Sequence, residues 1–168
     1  DGRGLFVMSN IRGRNLSDED LLALIAYLRS QPAVTTEIVD PPDQPSLLGF
    51  IMFGIGMLPS GQPPITDVIT APSKGPTAEY GEYILSYQDC RDCHGENLLG
   101  GVEGQLAPFG PNLKVVKTWT QEQFIATLRT GVDPRNHALD PAIMPWKSIG
   151  RMDDEELTAI YLYLLDLP

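Results

Sequence analysis

The feature that most constrains this 168-residue chain is the pentapeptide Cys90-Arg91-Asp92-Cys93-His94. It contains both cysteines of the sequence and one of its two histidines. Two thiols separated by two residues can form thioethers with the two vinyl groups of one haem, and the adjacent imidazole can turn back onto the iron. The pentapeptide therefore predicts a covalent c-type haem bound through Cys90 and Cys93, with His94 as the proximal iron ligand.

Two other chemistries also use paired cysteines. A structural zinc site needs two more Cys or His ligands, and the only other candidate in the chain is His137. A thioredoxin-like redox pair needs a strand–helix–strand context, whereas the segments that flank the pentapeptide have helical hydrophobic spacing. Both alternatives are weaker than the haem interpretation.

Acidic residues outnumber basic residues by 22 to 12, which gives a formal net charge of −10. The surplus is concentrated in residues 77–168, which contain 14 acidic and 7 basic side chains. A field of this sign disfavours nucleic acid and favours a redox protein partner with a basic docking surface. A merely solubilising surface is the alternative. Thioether attachment would consume both cysteines, which fits an extracytoplasmic location, in the periplasm or on the outer face of the cytoplasmic membrane.

Helix-capping signals predict an all-α fold for the second half of the chain, and no run of residues shows the alternation typical of a strand. A Ser, Thr or Asp cap with an acceptor three residues later is the usual start of a helix. The predicted caps are Thr77 for a helix to Tyr87, Thr120 with Gln123 for a helix to Thr130, and Asp153 with Glu156 for a helix to Leu165.

Residues 6–32 repeat the end of the chain at a fixed offset of 136 residues. The repeat indicates two copies of one structural unit, so residues 1–32 are interpreted as the C-terminal remnant of a first haem domain. Met8 would then be a ligand of a first haem whose attachment site lies upstream of Asp1. The alternative is a helical extension that packs on a partner. The repeat aligns Met8 with Met144, Asp18-Glu19 with Asp154-Glu155, Tyr27-Leu28 with Tyr163-Leu164, and Pro32 with Pro168.

Residues 33–76 have the composition of a linker, with many prolines that fix φ and remove hydrogen-bond donors. One apolar island, residues 47–58, interrupts this stretch. It is far shorter than the ~20 residues that a membrane-spanning helix needs. An exposed patch of this kind is unfavourable, so we expect the haem domain, a partner subunit of a membrane complex or a lipid interface to cover it.

Several segments of residues 77–168 together resemble the class I c-type cytochromes. They are the pentapeptide Cys90–His94, the Gly-Pro-Asn-Leu sequence at 110–113, the Met-Pro-Trp sequence at 144–146 and the closing helix at 160–164. A narrower likeness is to two-haem cytochromes that accept electrons from membrane or periplasmic oxidoreductases. The resemblance implies an all-α class I cytochrome c domain over residues 77–168, with three to four helices around one covalent haem.

Haem chemistry and the resemblance together assign roles to the site residues. In the family, the carbonyl of Pro111 would accept a hydrogen bond from the ring of His94 and so fix its orientation. Met144, 50 residues after His94, is expected to be the sixth ligand, since a soft thioether favours the reduced iron. His137 is the rival for that position. Trp146 is expected to shield the haem edge, with its N–H free to bond a propionate or the backbone.

A haem with two protein ligands exchanges electrons without binding a substrate. The sequence therefore predicts a one-electron carrier that acts between a donor oxidoreductase and an acceptor in an extracytoplasmic electron-transport chain. It does not predict an enzyme. The first alternative is a permanently bound haem subunit of a membrane respiratory, photosynthetic or dehydrogenase complex. The second is a haem enzyme or gas-binding haem protein, which would require Met144 to be displaced from the iron.

Overall fold

The computed structural model describes residues 12–33, 46–57, 65–105 and 107–168. The chain divides into two compact units, of which the first ends at Ile69 and the second begins at Thr70. The sequence-based division into residues 1–32, 33–76 and 77–168 stays a prediction. Met8, the expected ligand of a first haem, lies outside the described residues.

Helices of the first unit begin at serine caps. The Ser17 hydroxyl accepts a hydrogen bond from the Asp20 N–H at 3.1 Å, and the Ser46 hydroxyl accepts one from the Gly49 N–H at 3.1 Å. Each bond satisfies a backbone donor that has no partner within the first turn. The elements are a 3₁₀ turn at Arg12–Asn15, helix α1 at Asp18–Ser30 and helix α2 at Leu47–Gly54.

The apolar side chains of α1 and α2 are largely exposed, and neither helix contains a buried residue. Leu22 is 66% exposed and Leu47 is 78% exposed. Helix α1 starts 136 residues before the last helix of the chain, which is the interval of the sequence repeat. Within the described residues, no helix is long and apolar enough to cross a membrane.

The second unit contains the elements that the capping signals predict. The helices that follow Thr120 and Asp153 both begin with complete capping boxes, Thr120 with Gln123 and Asp153 with Glu156. The helices are α3 at Ala78–Tyr87, α4 at Cys90–His94, α5 at Gln121–Thr130, α6 at Trp146–Ile149 and α7 at Asp154–Leu165, with a 3₁₀ turn at Leu113–Thr118.

The core of the second unit lies between α3 and α7. At their closest approach, a Cβ added to Gly81 would overlap the carbonyl group of Ala159. The fully buried side chains of Ile84, Leu85 and Leu157 surround this crossing, and they belong to one apolar cluster that also contains Phe124 and Leu128 of α5. Helices α3 and α7 thus provide the core against which the rest of the unit packs.

The described residues form no strand, and Val132 and Ala138 make a single isolated antiparallel bridge. The predicted all-α fold of the class I cytochrome c type is confirmed. The loop after His94 contains a buried apolar residue in an unusual backbone conformation. In the structure Leu98 is fully buried with a φ of 62°, and its carbonyl accepts a hydrogen bond from the Leu113 N–H at 3.0 Å.

Candidate haem-binding site

The pentapeptide forms the short helix α4, and His94 is its last residue. His94 as a whole residue is 5% exposed, and Nδ1 of its imidazole lies 2.8 Å from the carbonyl oxygen of Pro111. A carbonyl can only accept, so Nδ1 carries the proton and Nε2 is the nitrogen with a free lone pair. This is the contact that the resemblance implies for Pro111, and it fixes both the tautomer and the direction of the ring.

Burial lowers the pKa of His94, and the hydrogen bond to Pro111 opposes this effect without cancelling it. The neutral ring is therefore the dominant form at neutral pH. Only a neutral imidazole can donate a lone pair to a metal. The ring is thus already in the protonation state that binding to a metal requires.

The loop that brings Pro111 to His94 closes on the end of α4. The Gly110 N–H donates to the Cys93 carbonyl at 2.8 Å, and the Gly101 N–H donates to the Gly110 carbonyl at 3.0 Å. A Cβ on residue 110 would lie 2.6 Å from Nδ1 of His94. The close approach of backbone and imidazole at this point therefore requires glycine.

Cys90 and Cys93 lie one helical turn apart, and each is partly buried with a free thiol. Burial raises the pKa of Cys90 to about 11, and burial also raises the pKa of Cys93. Among the described residues, no three His, Cys, Asp or Glu side chains lie close enough to hold a metal ion. The two thiols and the imidazole of His94 are thus carried by one short helix.

Met144 lies on the loop between α5 and α6. Its side chain is half-buried and packs against the apolar core. Its backbone accepts a hydrogen bond from the Trp146 N–H at 2.7 Å, and the indole Nε1 donates to the Leu139 carbonyl at 3.1 Å. The indole N–H thus donates to a backbone carbonyl. A haem propionate and the backbone were the two partners expected from the sequence.

His137, the rival ligand, is exposed on a turn that Asp133 closes. The His137 N–H donates to Oδ1 of Asp133 at 2.8 Å, and the His137 carbonyl accepts from the Asp133 N–H at 3.0 Å. The structure therefore brings His94 and Pro111 into direct contact, joins Met144 to Trp146 through the backbone, and leaves His137 at the surface.

The structural roles of two glycines were not predicted from the sequence. Gly110 gives the Pro111 loop access to the imidazole, and Gly131 lies directly against the indole of Trp146. The sequence marks Gly131 only as the residue that ends α5. Gly110 directly precedes the predicted site residue Pro111, whereas Gly131 lies 15 residues before Trp146, so only Gly110 has a signal in the local sequence. At both positions a side chain would collide with an aromatic ring.

The donor set fits a c-type haem. A buried neutral imidazole, two thiols on the same short helix and a half-buried thioether match the ligands and thioether partners that such a haem uses. The buried polar side chains do not contradict this fit. Every buried side-chain nitrogen or oxygen of the described residues has a hydrogen-bond partner.

Comparisons with known proteins agree with this geometry. Residues 76–164, just over half of the chain, match the family described as cytochrome c oxidase, cbb3-type, subunit III. The fructose dehydrogenase cytochrome subunit of Gluconobacter japonicus is 31% identical over 114 residues, which cover 60% of this chain and 23% of that protein. The chain thus spans about a quarter of the length of this relative. No solved structure matches the chain significantly.

The family match covers α3 to α7 almost completely, and it includes every site residue of the second unit. A chain with this fold and this family carries haem c and transfers electrons, and it does not transform a substrate. The protein is therefore a c-type cytochrome, a member of the family represented by subunit III of cbb3-type cytochrome c oxidase.

Proposed function

We propose that this chain carries single electrons on one haem c, which Cys90 and Cys93 bind covalently and which His94 and Met144 ligate. The observation that carries the proposal is the buried imidazole of His94, whose Nδ1 is 2.8 Å from the Pro111 carbonyl. A ring held in this way offers Nε2 in a single orientation, on the same short helix as two thiols. When bound, haem supplies an iron that alternates between the ferrous and ferric states.

Pro111 acts on the electronic properties of His94 as well as on its orientation. A carbonyl that accepts from Nδ1–H increases the electron density at Nε2, which makes the imidazole a stronger ligand. With Nε2 on the iron and Nδ1–H donated to Pro111, the ring would have no nitrogen free to take up a proton, so a change in the oxidation state of the iron need not be accompanied by protonation of the ligand. His94 and Pro111 thus provide a ligand that changes little when an electron arrives or leaves.

Met144 supplies the sixth ligand in this proposal. Its half-buried position against the core supports the assignment, whereas the rival His137 lies exposed on a turn. A thioether at this position raises the reduction potential and leaves no coordination site open to a substrate.

The repeat between residues 6–32 and the end of the chain supports a second haem domain upstream, in which Met8 has the role of Met144.

The electron donor or acceptor is proposed to be an extracytoplasmic oxidoreductase with a basic docking surface. The 14 acidic and 7 basic residues of 77–168 support this partner. The family is that of an oxidase subunit, and the relative from Gluconobacter japonicus is named as the cytochrome subunit of a dehydrogenase. Both names support a place in a chain of redox proteins, which we propose to lie at the outer face of the cytoplasmic membrane or in the periplasm.

A permanently bound haem subunit is the second candidate. Helix α2 favours it, because all eight residues are uncharged and none is buried. Helices that are apolar on all sides are normally covered in the functional assembly. A permanent subunit would copurify with its partner at high salt, whereas a mobile carrier would dissociate.

Replacing Met144 by Ala tests the proposed ligation. We expect the variant to lose the sulfur-to-iron charge-transfer band of the ferric protein, to have a lower reduction potential and to bind carbon monoxide when reduced. Met152→Ala is the matched control, since Met152 is also half-buried against the core, and it should keep all three properties of the parent. If the Met144→Ala variant had the spectrum of the parent, Met144 would not be a ligand of the iron.

A further inference from the structure

Met144 lies near the end of an irregular segment that runs from residue 131 to residue 145, between α5 and α6. A side chain on such a segment loses conformational freedom when it ligates a metal, so its position needs contacts that restrain the backbone. Two such contacts are local. The Met144 N–H donates to the Asp140 carbonyl at 2.9 Å, and the Met144 carbonyl accepts from the Trp146 N–H at 2.7 Å.

The indole of Trp146 ties the end of this segment to its middle. Nε1 donates to the Leu139 carbonyl at 3.1 Å, and Leu139 is the neighbour of Asp140, which holds the Met144 N–H. The Leu139 N–H in turn donates to the Gly131 carbonyl at 2.7 Å. One side chain therefore closes the segment that carries Met144, through Leu139, back to the end of α5.

Gly131 provides the surface on which the indole lies. Its φ is 73°, and its N–H caps α5 by donating to the Thr127 carbonyl at 2.8 Å. A Cβ at this position would overlap the ring atoms Cε2, Cζ2 and Nε1 of Trp146. The ring is thus in contact with backbone along the edge that also bears the hydrogen bond to Leu139, which leaves it little freedom to turn.

The far side of Trp146 is attached to the same helix end. The Gly150 N–H donates to the Trp146 carbonyl at 2.7 Å, and a Cβ on Gly150 would overlap the Leu128 carbonyl. The guanidinium of Arg129 donates to the Gly150 carbonyl. Both the ring and the backbone of Trp146 are therefore fixed relative to the last turn of α5, a helix whose Phe124 and Leu128 belong to the buried core.

We propose that Trp146, packed on Gly131 and bonded to Leu139, is the positioning residue that holds the Met144 thioether at the iron. The proposal rests on the axial role of Met144 proposed above. It assigns the indole N–H to the control of ligand position, where simple shielding of the haem edge would need only the apolar ring.

Three variants of the haem-loaded protein test this role. Trp146→Phe keeps an aromatic ring at this position and removes the indole N–H together with part of the ring system. Gly131→Ala keeps the tryptophan and displaces its ring. Gly104→Ala is the control for Gly131→Ala, because Gly104 also has a positive φ, 89°, with open space where its Cβ would be. The readouts are the charge-transfer band, the reduction potential and the rate of carbon monoxide binding to the ferrous protein.

We expect Trp146→Phe to increase the fraction of protein with Met144 off the iron by roughly tenfold, the effect of losing one hydrogen bond of ordinary net strength. Carbon monoxide should then bind about tenfold faster, and the band should weaken. Gly131→Ala should have a larger effect in the same direction, and Gly104→Ala should match the parent. In a Met144→Ala background, Trp146→Phe should change neither the potential nor the carbon monoxide rate.

Parent-like bands, potentials and carbon monoxide rates in Trp146→Phe would overturn the proposal, even if the variant were less stable. That result together with a lost band in Met144→Ala would leave the proposed ligation intact. If Met144→Ala itself kept the band and the potential, the ligation and the positioning role would both be wrong. Trp146→Phe decides the matter alone if Gly131→Ala does not accumulate as folded protein.

Discussion

Gly81 of α3 and Ala159 of α7 approach so closely that the carbonyl group of Ala159 occupies the place where a Cβ on residue 81 would lie. Both residues are buried, and Ile84, Leu85 and Leu157 pack around them with almost no exposed surface. The first and last helices of the second unit, here called the haem unit, are therefore joined through backbone contact. Such a contact cannot be widened without moving the core.

We predict that Gly81→Ala destabilises the haem unit by about 1–3 kcal/mol, the usual cost of adding atoms to a close-packed interior. Alanine favours the helix by up to about 1 kcal/mol, so the measured net loss is a lower limit for the cost of the overlap with Ala159. Denaturant unfolding of the haem-loaded protein gives the free energy. Gly75→Ala is the control, because a Cβ at Gly75 meets open space, and an equal stability of both variants would contradict the prediction.

A second prediction concerns the contact between His94 and Pro111. Gly110→Ala places a Cβ 2.6 Å from Nδ1, which should displace the ring and lengthen its hydrogen bond. A ring without this bond donates less electron density to iron, so the ferric state loses stabilisation and the reduction potential should rise. Redox titration measures the change. Gly104→Ala, which adds a Cβ in open space on the same loop, should leave the potential unaltered.

Helix positions could be predicted because the signals that set them are local. Thr120 with Gln123, for example, satisfies backbone donors within one turn, so the pair marks the start of α5 without reference to the rest of the molecule. The chemistry of the site was also readable, since Cys90, Cys93 and His94 are adjacent in sequence. The family match later confirmed the class of cytochrome that these residues indicate.

Contacts between distant segments could not be predicted from local signals. The Pro111 contact was implied only by resemblance, because the two residues are 17 positions apart and a glycine loop brings them together. Burial of Leu98 with a φ of 62° depends on the surrounding core, since an isolated leucine avoids this conformation. The role of Gly131 likewise depends on Trp146, 15 residues later in the chain.

A third prediction uses the pH dependence of an ion pair. The Lys74 ammonium lies 2.5 Å from Oδ2 of Asp153. Hydrogen bonding to Asp153 raises the pKa of Lys74, and hydrogen bonding to Lys74 lowers the pKa of Asp153. The carboxylate therefore stabilises the fold above its ordinary pKa of about 4 and loses this contribution as the pH falls. The ammonium contributes below its ordinary pKa of about 10.4 and loses this contribution as the pH rises.

Lys74→Met should accordingly lower the melting temperature between about pH 5 and pH 9, and the difference from the parent should shrink outside this range. The effect should be small and should decrease with salt, because both side chains are half exposed. Melting curves over pH provide the measurement. Lys114→Met is the matched control, since Lys114 is exposed and its ammonium makes no ion pair with the described residues. Equal curves for the two variants would contradict the assigned role of the pair.

A fourth prediction concerns docking. The surplus of seven acidic residues over 77–168 should attract cations to the haem unit. Electron transfer to a cationic small-molecule oxidant should therefore slow as ionic strength rises, whereas transfer to an anionic oxidant should accelerate. Stopped-flow measurements with hexaammineruthenium and ferricyanide make the comparison. Rates that are indifferent to salt with both oxidants would mean that the acidic residues lie away from the electron-transfer surface.

The central claim is that Cys90 and Cys93 hold one haem covalently in the second unit. The most direct test is the intact mass of the chain, produced in a host that matures c-type haem, before and after extraction with acidified acetone. We predict the 18.4 kDa of the polypeptide plus one haem in both samples, with the haem located by proteolysis on the peptide that contains Cys90 and Cys93. A polypeptide that returns to 18.4 kDa after extraction, or that never carries haem, would contradict the claim.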